Sequence, residues 1–283
     1  MYEKNLKFIF TDLDTGDTYQ IGHNDWELTQ TKGIFSPSFE VYTKSKANGR
    51  GLRVTGKQIK SRDITIVASA TDTRKNDVLR LAVNKFFNPL HSFKVSIMYY
   101  NTTRWAECEI VGIDCPQDNM DEPTELKLML LCPNAFLKSV DSFGKDISSI
   151  SAGFLFPYVS TVDNGFNCGF YNFGNEVTVV NEGDVETQCK VIFDAKGVCK
   201  NPKIAKNSRE YVRILKELQE GDEIIVDFEN GEITYNGERC TSIDRTSTFF
   251  YLDRGSNKLT ASADENIANL STVIYYNSEF LGV

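Results

Sequence analysis

The chain has 283 residues, 41% of them hydrophobic and 25% charged, with a formal net charge of −8. That is enough chain for two ordinary domains, and too much apolar material for a disordered one. The acidic balance lacks the basic, aromatic-interleaved stripe of a nucleic-acid binder, no apolar run is long enough for a membrane-spanning helix, and the opening MYEKNLKFIF lacks the apolar core of a signal peptide.

In chain order, LKFIFTDLDTGDTYQIG predicts a hairpin turning at Asp14–Asp17. Asp12, Asp14 and Asp17 resemble the start of a calcium loop, but such a loop wants glycine sixth and glutamate twelfth. Counted from Asp12, Gly16 falls fifth, Asp17 sixth and His23 twelfth, so a plain turn is expected. Residues 31–62 are rich in Gly, Ser, Lys and Asn, with SKANGRG as the loop tip. Their cations, Lys44, Lys46, Arg50, Arg53, Lys57, Lys60 and Arg62, read as a solvated loop and strand face. RDITIVASA alternates, placing Ile64, Ile66 and Ala68 on one side of a strand.

Asp72–Phe87 is the one long helix expected. Asp72 or Thr73 can cap it, Val78, Leu79, Ala82, Val83 and Phe86 form its apolar stripe, and Asn88-Pro89 ends it. SFKVSIMYY, RWAECEIVGID and ELKLMLLCPNAF predict three more strands, two of them closed by Cys-Pro. The Ser-rich 138–152 marks a domain boundary. NGFNCGFYNFGN lacks the Gly-Lys-Ser/Thr ending of a phosphate loop and reads as an aromatic-rich turn segment. In VETQCKVIFD, Val185, Thr187, Cys189, Val191 and Phe193 share one side of a strand. Asn201-Pro202 stops regular pairing, and Asn230-Gly231 and Asn236-Gly237 supply tight turns. NSREYVRILKELQEGD has helical spacing at Val212, Leu215 and Leu218, and LSTVIYYNSEF closes the chain as a strand. Short strands with turns roughly every 8–12 residues indicate an antiparallel sandwich.

Little here supports chemistry. Seven scattered cysteines (Cys108, Cys115, Cys132, Cys168, Cys189, Cys199, Cys240) include no C-x-x-C pair, and only His23 and His91 could join them in a zinc site. They read as buried thiols of a protein made in a reducing cytoplasm. His23 beside Asp25 has no nucleophile elbow to serve, and Asp222/Glu223 is one of many chance acidic pairs. No catalytic, cofactor-binding or metal-binding residue is expected, no cofactor is expected, and spacing names no interface residue.

The stretch Asn181–Asn257 resembles the C-terminal half of the siphophage distal tail protein family. The residues that carry the resemblance are Asn181, Gly183, Asp184, Gly197, Asn201-Pro202, Ile204, Asn207, Gly221-Asp222, Asn236-Gly237, Ser247, Phe249, Leu252, Gly255 and Asn257, with the terminal EFLGV. Gln188 stands where the family often has proline. The resemblance favours a strand and turn over a helix at 207–222. It implies a mainly β protein: an N-terminal β-barrel or sandwich-like, ring-forming domain with one long α-helix at 1–140, and a C-terminal galectin-like jelly-roll sandwich at 141–283. It further implies a non-enzymatic hub in the virion, at the distal tip of a long non-contractile tail. Made in the bacterial cytoplasm, it would form a homo-hexameric ring whose first domains make an inner collar and whose jelly rolls project outward. That ring would meet the tail tube protein, the tape-measure protein, and tail-tip and receptor-binding proteins, with neither specific nucleic-acid binding nor membrane insertion. An acidic ring suits a channel for DNA, because like charge keeps the duplex off its wall. The alternative is a carbohydrate-binding β-sandwich for cell-surface glycans. Such a site wants an exposed aromatic platform, whereas Trp26 and Trp105 both lie in the first half; in the second, the residues to test are Phe170 and Tyr171, in the aromatic-rich loop 165–174.

Overall fold

A computed structural model describes residues 5–116, 121–140, 143–146, 150–151, 170–171 and 176–283, with side chains at 5–116, 121–140 and 176–283. The chain divides into two compact units, Met1–Val140 with Glu279–Val283, and Asp141–Ser278.

The first unit contains β1 (Leu6–Asp12), β2 (Thr18–Ile21), β3 (Trp26–Lys32), β4 (Phe39–Ser45), β5 (Leu52–Ile59), β6 (Arg62–Ala70), α1 (Asn76–Phe86), β7 (Phe93–Tyr99), β8 (Thr102–Asp114), β9 (Glu125–Cys132) and β10 (Leu137–Ser139). One antiparallel sheet runs β2-β1-β7-β8-β9-β6-β3. Its strands alternate as their sequences require: Phe8 and Phe10, Ile64, Ile66 and Ala68, Val95 and Ile97, and Leu126, Leu128 and Leu130 all enter one core.

The helix is present. Asp72 accepts the Arg74 amide at 3.0 Å and caps a 3-10 turn, Thr73–Lys75, that feeds α1. The expected apolar stripe needs one correction. Leu79 and Val83 are buried, but Val78 is exposed, and Asn76 takes the inward place above Leu79. Asn76 can do so because its amide bonds the Glu122 carbonyl and the Thr124 N–H. A second correction concerns Arg62, grouped above with solvated cations. It is 1% exposed, because it continues the inward face of Ile64 and Ile66 at the end of β6.

The second unit contains β11 (Phe143–Asp146), β12 (Ile150–Ser151), β13 (Phe170–Tyr171), β14 (Glu176–Asn181), β15 (Cys189–Ala195), β16 (Cys199–Lys200), β17 (Lys203–Lys206), β18 (Glu210–Arg213), β19 (Glu217–Leu218), β20 (Glu223–Asp227), β21 (Glu232–Tyr235), β22 (Glu238–Arg239), β23 (Gly255–Ser262) and β24 (Leu270–Tyr276). Two antiparallel sheets, β11-β24-β15-β20-β21-β22 and β14-β23-β17-β18, share one apolar core containing Val191, Phe193, Val226, Ile204, Val212 and Leu259. The helical spacing at 207–222 yields to strands β18 and β19, since Val212 and Leu218 reach that core from a strand pleat. β15 is flanked by β20 and β24, so Gln188, just before it, guards no open edge.

The last strand, β25 (Glu279–Phe280), pairs with β10 of the first unit rather than ending the second. The second domain expected at 141–283 therefore yields its last five residues. They are held by that pairing, by Val283 N–H on the Ile34 carbonyl, and by Arg62 on the Leu281 carbonyl at 2.6 Å.

Candidate interaction surface

The polar residues singled out in the sequence are mostly used as structure. Asp12 accepts the amides of Asp14 and Thr15 and lies 2.7 Å from His91 Nδ1, closing the β1–β2 turn onto the segment after α1. Burial pushes the Asp12 carboxyl up, but the His91 bond and the two amides outweigh it and hold it below the ordinary value. The same bond raises His91. Asp12, Asp14 and His91 form the one group of potential metal ligands within 4.8 Å among the described residues, and Asp17 is not in it. Asp25 pairs with Lys75 rather than activating His23. Asp222 accepts from the Gln219 N–H and the Asn236 amide, which pins a turn.

Neither tryptophan forms an open aromatic platform. Trp26 is buried and donates to the Tyr19 hydroxyl at 2.8 Å. Trp105 is half-buried, donates to the Ser139 carbonyl, and has Lys94 Nζ 4.2 Å above its ring. The side chains of the 165–174 loop, Phe170 and Tyr171 included, lie outside the described residues.

What the sequence concealed is an arm. β4 and β5 pair only with each other, from Phe39↔Ile59 to Ser45↔Leu52, and of their residues only Gly56 is not exposed. A register shift at Tyr42/Thr43 keeps the two faces distinct. Residues directly opposite share a face. Phe39 with Ile59, Val41 with Lys57, Thr43 with Val54, and Ser45 with Leu52 therefore make one predominantly apolar face. The other carries Glu40, Gln58, Tyr42, Lys44 and Arg53. Glu40 is tied to Lys60, and Tyr42 to Gln58 at 2.8 Å. The hairpin holds five cations against the single carboxylate of Glu40, in a chain that is otherwise acidic. A lone two-stranded hairpin is marginal in water, so an amphipathic one this exposed calls for a partner surface. The signal in the sequence was the alternation of Phe39, Val41, Thr43 and Ser45, masked by the Gly- and Lys-rich composition around it.

In the second unit, the residues that carried the family resemblance prove to be turn-forming parts. Asn201, Asn207 and Asn236 adopt positive φ, as do Gly221, Gly237 and Gly255. Asn236-Gly237 thus has the two left-handed residues that a tight hairpin between β21 and β22 needs. Buried Asn181 takes the Gly183 N–H on its carbonyl and gives its amide to the Val185 and Leu252 carbonyls. Buried Asn257 likewise accepts the Asp253 N–H and donates to the Asp253 and Gly255 carbonyls.

The described residues thus make a two-unit, mainly β chain with an exposed amphipathic arm. Residues 182–280 match the family model described as siphovirus-type tail component, C-terminal domain. That match covers the same part of the chain from which the resemblance to the siphophage distal tail family was read, Asn181–Asn257. Among solved structures, the chain is similar to the SPP1 Dit (gp 19.1) protein, described as a paradigm of the hub adsorption apparatus in phages infecting Gram-positive hosts. The TM-score is 0.68 at 12% identity, over 97% of this chain and 99% of that one. It is also similar to a chain of the phage P2 baseplate in its activated conformation with calcium, with TM-score 0.53 and 10% identity over 99% and 100% of the two chains. At these identities the likeness shows the fold. No curated protein matches the chain.

Proposed function

We propose that this chain is a non-enzymatic structural component of a siphophage tail, a hub at the distal end of a long non-contractile tail. In this reading copies close into a ring, a hexamer by analogy with the family, through the first unit. The second unit and the ring faces meet the tail tube protein, the tape-measure protein, and tail-tip and receptor-binding proteins.

The observation that carries the reading is the β4–β5 arm. Its apolar face, with Phe39, Val41, Leu52, Val54 and Ile59, is left exposed by the described residues, and its cationic tip complements an acidic surface. A neighbouring copy supplies both, and a head-to-tail contact of this kind closes into a ring when its rotation allows. The test joins light scattering and negative-stain imaging of the purified chain with immunogold labelling of virions. Rings of one stoichiometry, with label at the tail tip, are expected. Absence of the protein from purified virions would refute the reading.

A further inference from the structure

One row of side chains crosses the sheet of the first unit and carries polar chemistry at core depth. Asp12 on β1 faces Phe93 on β7, and Phe93 faces Cys108 on β8. On the far side, Arg62 on β6 faces Cys132 on β9. The β8–β9 ladder pairs Glu109 with Leu131, so its next step sets Cys108 opposite Cys132. All five residues of this row are buried. Opposed residues on antiparallel strands have Cα atoms roughly 4.5–5.5 Å apart, inside the roughly 4.4–6.8 Å range of disulfide-linked cysteines. The register sets the two thiols side by side on the inward face of the sheet, placed for the Cys108 thiol to hydrogen-bond the Cys132 sulfur. No other described cysteine has a cysteine as its register partner.

The two sulfurs are not equivalent. The shared hydrogen bond, with burial, pushes the Cys108 thiol far up. The same bond holds Cys132 below the ordinary thiol value against the opposing effect of burial, and the Arg62 guanidinium adds to the lowering. Arg62 gives its hydrogen bonds to the carbonyls of Ala135, Gly33, Ile34 and Leu281, so no carboxylate bond competes for its charge. Arg62 stands opposite Cys132 in the register, so its charge favours the thiolate there, which makes Cys132 the attacking sulfur and Cys108 the resolving thiol.

We propose that Cys108 and Cys132 are a dithiol that closes to an intrachain cross-strand disulfide when the protein meets a small-molecule disulfide such as oxidised glutathione. The Cys132 thiolate attacks one glutathione sulfur, breaks that S–S bond and releases one glutathione thiolate, leaving a mixed disulfide on Cys132. Cys108 gives up its proton to the released thiolate and attacks the Cys132 sulfur, expelling the second glutathione. Two protein thiols are oxidised and one glutathione disulfide is reduced to two thiols. Because both sulfurs are buried, the reaction is slow.

The experiment incubates the full chain, folded and initially reduced, in glutathione redox buffers, then alkylates, digests without reductant and maps disulfides by mass spectrometry. A Cys108–Cys132 linked peptide should dominate, and closing that loop should raise the thermal midpoint of the first unit by on the order of 5 °C. Cys108→Ser should instead trap glutathione on Cys132. Wild-type mapping decides the matter even if that variant folds poorly. Both thiols still free after prolonged oxidation, or glutathione left on wild-type Cys132, would overturn the proposal.

Discussion

Gly282 lies against the main chain of Phe35, so that a Cβ added at Gly282 would come within 2.0 Å of the Phe35 carbonyl oxygen. The C-terminal segment thus occupies a slot just before the arm, where β3 has ended and β4 has yet to begin. Gly282→Ala should displace the terminal residues and weaken the first unit by about 2 kcal/mol. Gly221→Ala, at a site with open space and φ of +88°, should cost only about 1 kcal/mol, through strain. Urea denaturation of both variants beside wild type separates the two. Equal losses would show that the slot is looser than the contact implies.

The Asp12–His91 pair predicts a pH dependence in the first unit. The folded pKa of His91 is raised above its ordinary 6.5. Its contribution is therefore complete below about pH 6.5 and fades as the pH rises through the raised value. The folded pKa of Asp12 is lowered below its ordinary 3.8, so its contribution is present above that value and is lost as the pH falls through the lowered one. The stability difference between wild type and His91→Gln should be largest between about pH 4 and 6.5 and shrink at alkaline pH. Thermal midpoints across that range test it, and a difference that grows toward pH 9 would contradict the pairing.

Asn257 is fully buried and satisfies three main-chain groups of the 253–255 turn. Asn257→Ala leaves one N–H and two carbonyls of a part-buried turn without those bonds and should destabilise the second unit by about 1–3 kcal/mol. Hydrogen exchange should show the loss of protection centred on residues 252–257. Uniform loss across the unit, or none, would mean that water replaces the side chain.

Leu52 and Val54 stand exposed on the apolar face of the arm. Changing both to Asp should alter unfolding free energy by no more than about 0.5 kcal/mol each, because they bury little within the chain. The same change should reduce self-association sharply. Light scattering across a concentration series reads the outcome, and an unchanged oligomer would place the interface elsewhere.

The sequence by itself determined the local elements. Period-2 alternation in Arg62–Ala70, Phe93–Tyr99, Glu125–Cys132 and Cys189–Ala195 matches strands whose inward residues are buried. Asn-Gly and Asn-Pro placed the turns of the second unit, because positive φ and a missing N–H are properties of single residues. The stop of α1 was equally local. Tertiary structure alone decided the long-range relationships. Whether Arg62 is solvated or buried depends on carbonyls 28 to 219 residues away in sequence. Whether Val78 or Asn76 faces the core depends on what loop 122–124 offers. That Cys132 stands opposite Cys108, that the last five residues return to the first unit, and that the described residues leave the apolar face of the arm exposed all follow from strand register and order. These are set by the sum of many weak side-chain contacts across the sheet, and no spacing within one segment records that sum.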